Sequence, residues 1–172
     1  MIETPMKMQI AILVAYALNL WLVNKFAPYR LIGSFLFAFL PLLTVFFPQP
    51  RFELDYFWWE IAGYAFMAIG LVLMLWAKKE LGGVITNLSE IPSKLVTSGP
   101  YHYLRHPMYL GLGFIFVGWW WTWAAVYAFY FGMFILAMVW IQGYIEEKFI
   151  LEKQFGAKFT AYCRETGMFW IK

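Results

Sequence analysis

The chain has 172 residues, of which 63% are hydrophobic, 23% aromatic and only 13% charged, with a formal net charge of +3. That composition lies outside the soluble range and makes the chain an integral membrane protein of one domain, residues 1–172. The small, scattered positive charge excludes a nucleic-acid surface, which needs a clustered basic face, and a single cysteine, Cys163, excludes an intramolecular disulfide.

The first apolar block, residues 6–23, lacks the basic start and small-residue cleavage site of a signal peptide, so it reads as a retained span. Residues 29–47 form a second block that Pro41 is expected to kink, and residues 56–77 form a third. Each is near the roughly 20 residues that a spanning helix needs. The fourth block, residues 108–145, would run about 57 Å as one helix at 1.5 Å per residue, against a hydrocarbon core of about 30 Å. It is therefore expected to fold back as a helical hairpin. The turn is expected at Gly118-Trp119-Trp120-Trp121-Thr122-Trp123, since tryptophan prefers the interface and glycine permits a reversal. The arm before it is short, so a tilted or thinned crossing follows. The fold class is all-α: about five transmembrane helices, including a C-terminal hairpin.

Five spans place segments 24–30, 78–107 and 146–172 on one side. That side carries Lys25, Arg30, Lys78, Lys79, Lys94, Arg105, Lys148, Lys153, Lys158, Arg164 and Lys172, while the other carries Lys7 and Arg51. The bias predicts a cytoplasmic C-terminus and an outside N-terminus. It also puts two chemical regions in one compartment, where they can meet. Residues 1–77 then supply three N-terminal spans, and 78–172 a catalytic half.

The first chemical region is Gly99-Pro100-Tyr101-His102-Tyr103-Leu104-Arg105-His106-Pro107-Met108-Tyr109-Leu110, polar and cationic between apolar blocks. Proline suits the first turn of a helix, so Arg105-His106-Pro107 is expected to open the hairpin's first arm, with free backbone N–H groups that attract a carboxylate or phosphate. The blander reading is headgroup anchoring by Arg105 and His106 and belt aromatics at Tyr101, Tyr103 and Tyr109. Gly111-Leu112-Gly113 admits a flat ligand or, more simply, a neighbouring helix. The second region is Glu146-Glu147, acids at the end of the last span that are costly unless they face a cavity, an ion or a cationic ligand. Beyond it, Ile145, Phe149, Phe155, Phe159 and Tyr162 recur at helical spacing, which predicts an amphipathic helix at the membrane surface that can roof a site. A metal site built from His102, His106 and the acidic pair is set aside, because Pro107 starts the helix and there is no third histidine.

Leu95-Val96-Thr97-x-Gly99-Pro100-Tyr101-x-x-x-Arg105-His106-Pro107-x-Tyr109-x-Gly111, then the acidic pair, then Phe155-Gly156 and Tyr162, resemble the isoprenylcysteine carboxyl methyltransferase and phospholipid methyltransferase superfamily. The resemblance covers roughly residues 78–166. It implies S-adenosylmethionine as cofactor, held at the cytosolic membrane face by Ser93, Lys94, Leu95, Val96, Tyr101, His106, Pro107, Met108, Tyr109, Gly111 and the acidic pair. The chemistry of the residues agrees: a methionyl carboxylate suits His106, an ammonium suits Glu147 or Glu146, and a sulfonium suits a tyrosine face. Arg105 would position an anionic acceptor or fix a glutamate, and Arg105, Glu147 and Glu146 are the expected catalytic residues. Departures concern the acceptor: Ser93 replaces a histidine, Gly143 an arginine one turn before the key glutamate, and Phe159 a tyrosine.

The implied function is methyl transfer to a lipophilic acceptor entering from the bilayer: a prenylcysteine-like carboxylate, a phospholipid amine or another isoprenoid. Membrane lipids are the expected surroundings, and neither nucleic acid nor metal is an expected partner. Two other classes compete: a sterol-type membrane reductase that binds a nicotinamide cofactor, and a non-catalytic scaffold whose polar clusters serve topology alone.

Overall fold

The computed structural model describes residues 4–53, 57–82 and 93–172. The described residues form α1 (Thr4–Lys25), α2 (Arg30–Phe39), α3 (Phe57–Leu81), α4 (Pro107–Thr122), α5 (Val126–Glu146), α6 (Glu152–Phe155) and α7 (Ala157–Glu165), with no named strand among them. The architecture is the all-α membrane bundle expected; Tyr56, the expected first residue of the third span, lies outside the described residues. Four segments, Pro5–Lys25, Ala27–Phe46, Phe57–Leu81 and Val126–Phe155, are long and apolar enough to cross a bilayer. Helix α4, at 16 residues, spans about 24 Å at 1.5 Å per residue and is the short arm of the hairpin.

Side chains such as Val14, Phe35, Phe39, Val72 and Leu75 are exposed around the bundle, as befits surfaces whose solvent is lipid. The buried centre is Tyr16, Val45, Leu112, Phe116, Trp120, Ile135 and Val139, drawn from α1, the α2 extension, α4 and α5.

Pro41 acts as its type demands. The α-helix stops at Phe39 and the chain continues as a 3-10 helix over Leu40–Phe46. The carbonyls loosened by that change are met by side chains, as a membrane interior requires. The Trp120 indole N–H donates to Pro41 O (3.3 Å) and Thr44 Oγ1 (3.0 Å), the Trp119 indole to Leu42 O (3.0 Å), and the Gln9 amide to Thr44 O (2.8 Å).

The hairpin turn lies later than the sequence suggests. Helix α4 runs through Thr122, and the reversal is made at Trp123 and Ala124, the latter at φ +48°. The expectation misassigned both residue types. A Cβ on Gly118 would approach Gly63 O at 2.5 Å, and one on Gly111 would approach Gly70 O at 2.7 Å. The four glycines, seven residues apart on each helix, therefore let α3 and α4 run antiparallel at close range. The tryptophans are structural donors: Trp121 and Trp59 stack at 4.0 Å, and each indole N–H donates to the other's carbonyl oxygen (2.8 and 3.1 Å). Residues 50–52 pin the turn from outside through Phe52 N–H to Ala124 O and Val126 N–H to Pro50 O.

The expected amphipathic helix is in two pieces. After Glu146 the backbone widens into a π turn, Glu147–Leu151, and Gly156 (φ +51°, ψ −125°) redirects the chain between α6 and α7. Leu151, Phe159 and Tyr162 are buried together against Leu95 and Phe155, whereas Phe149 stays 60% exposed.

Candidate active site

Pro107 is the first residue of α4 and His106 its N-cap, which holds the Arg105-His106 pair at the mouth of the bundle. The sequence predicts free N–H groups in the first turn of that helix, beside the pair; the pair's own backbone N–H groups are engaged. Arg105 N–H donates to Gly167 O (2.9 Å) and His106 N–H to Met168 O (3.2 Å), because the chain after α7 lies alongside this corner.

The π turn places both glutamates against α4, as single π turns at functional sites often do. Glu147 receives a bidentate contact from Arg105, Nε to Oε1 at 2.7 Å and Nη2 to Oε2 at 3.2 Å. His106 Nε2 reaches the same Oε1 at 3.0 Å. Arg105 Nη1 donates to Thr166 O, which completes the guanidinium's environment. Glu146 accepts from the Tyr109 hydroxyl at 2.8 Å. The two regions expected to meet thus join across about 40 residues of sequence, and the Arg105 and Glu147 side chains are each 12% exposed.

Aromatic rings close the surroundings. Tyr109 stacks on the His106 ring (5.4 Å, 9°), and the Phe169 ring lies 5.7 Å from it, tilted by 35°. The buried Tyr101 carbonyl accepts from the Tyr162 hydroxyl. Burial, and then the Glu146 carboxylate, push the Tyr101 hydroxyl well above its ordinary value, so it stays a neutral phenol beside the acids.

Arg105, His106, Tyr109, Glu146 and Glu147 therefore form one cluster, with Tyr101 beside it and Pro107 opening the helix. Gly111 faces α3 at Gly70, serving helix contact. Met108 is half-buried at the start of α4; Ser93 and Lys94 are exposed, and Leu95 and Val96 half-buried. Leu95 lines a separate cavity of about 480 Å³ whose wall includes Thr97, Tyr103, Tyr162, Thr166 and Ile171. Tyr162 and Thr166 belong to both that wall and the hydrogen bonds around Tyr101 and Arg105, so the cavity abuts the ionic cluster. His102 lies on the cavity wall, and among the described residues no three His, Cys, Asp or Glu converge on a metal position.

Sequence reasoning did not single out residues 166–169. Their signal is the abrupt return of apolar residues, Gly167-Met168-Phe169, after the polar α7, which a solvated tail would not need. The same segment explains Gly143: a Cβ there would lie 2.8 Å from Met168 Cε and 3.4 Å from Phe169 Cζ. The space over that helix face is filled by the C-terminal segment rather than by a side chain from position 143.

The chain matches the phospholipid methyltransferase family over residues 58–158, more than half its length. No curated protein and no solved structure matches it. The matched range holds α3 from its second residue, α4, α5, both glutamates and the Arg105-His106 corner, and ends before residues 166–169. The chain belongs to the phospholipid methyltransferase family.

Proposed function

We propose, from that membership, that this membrane methyltransferase uses S-adenosylmethionine to methylate a lipophilic acceptor at the Arg105, His106, Tyr109, Glu146, Glu147 cluster. The observation that carries the proposal is the grip of Arg105 and His106 on Glu147 at 2.7 and 3.0 Å. An acid and two cationic or basic groups, paired at the edge of a membrane bundle, are the complement of an amino-acid zwitterion.

The residues fit the cofactor by the chemistry of their donors. Glu147 offers a carboxylate to an ammonium, Arg105 and His106 offer donors to a carboxylate, and the Tyr109 and Phe169 rings offer faces that tolerate a sulfonium. The neighbouring cavity, walled by Leu95, Tyr103, Tyr162 and Ile171, suits a nucleoside with its apolar and aromatic sides. In this reading Leu95 contributes to cofactor binding from the cavity wall, with Ser93, Lys94 and Val96 beside it in sequence. The internal ion pair has a second consequence: with no zwitterion bound, each charged group already has its partner, so ligand binding is an exchange of partners. Exchange costs less than creating or desolvating new charges.

The bound cofactor supplies an already activated methyl group, so the protein needs no nucleophile of its own. Arg105 and His106 hold one end of the zwitterion and Glu147 the other, which fixes the orientation that an in-line displacement requires. The aromatic cover keeps water from the reacting centre. Glu146, held by the Tyr109 hydroxyl, stands ready to take the proton of an amine acceptor; a carboxylate acceptor needs no base. The acceptor is a prenylcysteine-like carboxylate, a phospholipid amine or another isoprenoid, reached through the lipid-facing sides of the bundle. The cluster lies at the cytoplasmic face, with an outside N-terminus, on the strength of the Lys and Arg distribution.

Calorimetry on the detergent-purified chain tests this directly. Saturable binding of S-adenosylmethionine and S-adenosylhomocysteine, without binding of a reduced nicotinamide cofactor, is the expected result. Nicotinamide binding alone would replace the proposal with the reductase, and binding of neither with the scaffold.

A further inference from the structure

A second cavity, of about 620 Å³, opens on another face of the α5 end and has no part in the cluster described above. Its walls are Asn24 and Arg30 from the α1–α2 corner, Ile145 from the end of α5, Phe149 and Ile150 from the π turn, and Lys153 and Gln154 from α6. None of Arg105, His106, Tyr109, Glu146 and Glu147 lines it. The lining combines two cations, Arg30 and Lys153, two amides, Asn24 and Gln154, and three large apolar side chains, Ile145, Phe149 and Ile150.

The cations lack anions. Among the described residues no carboxylate pairs with Arg30, although its side chain is half-buried. Lys153 has no carboxylate either, and its ammonium instead lies over the Phe149 ring at 5.5 Å. A half-buried guanidinium at a bilayer edge is costly without a counter-charge. Asn24 is held in place by Gln142, its amide donating to Gln142 Oε1 at 2.7 Å, so the corner is fixed rather than loosely exposed. The next residue, Lys25, lies over the Trp21 and Phe26 rings at 4.6 and 5.6 Å. Cations over exposed aromatic rings are the pattern of a bilayer interface, where lipid phosphates sit.

We propose that this cavity is a binding site for an anionic phospholipid, separate from the methyl-transfer site. Arg30 and Lys153 take the headgroup charge, the Asn24 side chain flanks it, and Ile145, Phe149 and Ile150 cover the first methylenes of an acyl chain. A soluble phosphate would leave those three apolar walls uncovered, and a bare hydrocarbon chain would leave the two cations unmatched. A net negative headgroup carried on an acyl chain satisfies both halves. Each interfacial cation is worth about fivefold in affinity for an anionic lipid.

The test is native mass spectrometry of the purified full chain in detergent, titrated with phosphatidylglycerol, with phosphatidylcholine of the same chains, and with glycerol phosphate. Phosphatidylglycerol is expected to bind at one copy per chain, phosphatidylcholine at least about tenfold more weakly, and glycerol phosphate not at all at matched concentration. Arg30→Gln and Lys153→Gln are each expected to weaken phosphatidylglycerol about fivefold, and the pair about twenty-five-fold. Lys79→Gln, an exposed cation of α3 away from the cavity, is expected to change nothing. Lys153 is itself exposed, so its variant folds whatever the outcome at Arg30. Equal binding of the two lipids would overturn the proposal. So would equal binding of glycerol phosphate, or a Lys153→Gln effect no larger than that of Lys79→Gln.

Discussion

The two ends of the α4–α5 hairpin solve the same problem, polar groups at the limits of an apolar bundle, in opposite ways. At the turn end three neutral donors are used up by backbone: Trp119, Trp120 and Trp121 give their indole N–H groups to carbonyls of the α2 extension and of α3. At the other end the groups are charged and are used up by one another, Arg105 and His106 on Glu147. The first arrangement has nothing to release without unfolding. The second holds an ion pair, and under the proposed function a zwitterionic ligand replaces its partners, which makes that end the one equipped for exchange. A structural end and a working end are thus distinguished by what their hydrogen bonds are made to, more than by how polar they are.

The largest effect that would sharpen this contrast is expected from Glu147→Gln. The amide keeps the shape but leaves the Arg105 guanidinium without its counter-charge and gives a bound ammonium no carboxylate. Binding of S-adenosylmethionine is expected to fall about a hundredfold, roughly 3 kcal/mol, with His106→Ala weakening it in the same direction. Calorimetry checks the affinity and membrane fractionation checks insertion, which is expected to be intact. Unchanged binding in both variants would break the comparison, since the charged end would then be as inert as the tryptophan end.

Next in size is Gly118→Leu, placed at the structural end. In a free helix the change gains about 1 kcal/mol of propensity, but here the new side chain meets Gly63 O and Met67 across the contact. Overpacking of that kind costs about 3 kcal/mol, so a net loss of about 2 kcal/mol is expected, read as a lower melting temperature in detergent. Methyl-donor affinity of the folded fraction is expected to be nearly unchanged. A variant that instead lost affinity without losing stability would show that the two ends do not divide the work.

What the sequence made legible follows the same division. The all-α membrane architecture, the proline kink and the meeting of the Arg105-His106 corner with the acidic pair came from composition, element length and charge placement, which act locally or through the membrane. The turn was misplaced because glycine and tryptophan carry two meanings each, and only the α3–α4 contact decides that Gly118 is a close approach and Trp121 a donor to Trp59. Residues 166–169 were passed over because their role is to lend backbone carbonyls to Arg105 and His106, and a carbonyl has no sequence signature. The π turn was illegible for a similar reason, since nothing in Glu147–Leu151 distinguishes one extra residue per turn from an ordinary helix.

The smallest effect separates binding from transfer within the working end. Tyr109→Phe keeps the ring that stacks on His106 at 5.4 Å and removes only the hydroxyl that donates to Glu146 at 2.8 Å. If Glu146 is the base that takes a proton from an amine acceptor, loss of that hydrogen bond is expected to slow methyl transfer about tenfold, roughly 1.4 kcal/mol, while methyl-donor affinity stays that of the wild type. Steady-state transfer with amine and carboxylate lipids, set beside calorimetry, reads both quantities. A carboxylate acceptor needs no proton removed, so an amine-only defect assigns Glu146 to the base role and the hydroxyl to its positioning. A defect equal for both acceptors assigns the Tyr109–Glu146 contact to holding the α4–α5 geometry, and puts all the exchangeable chemistry of this end on Glu147.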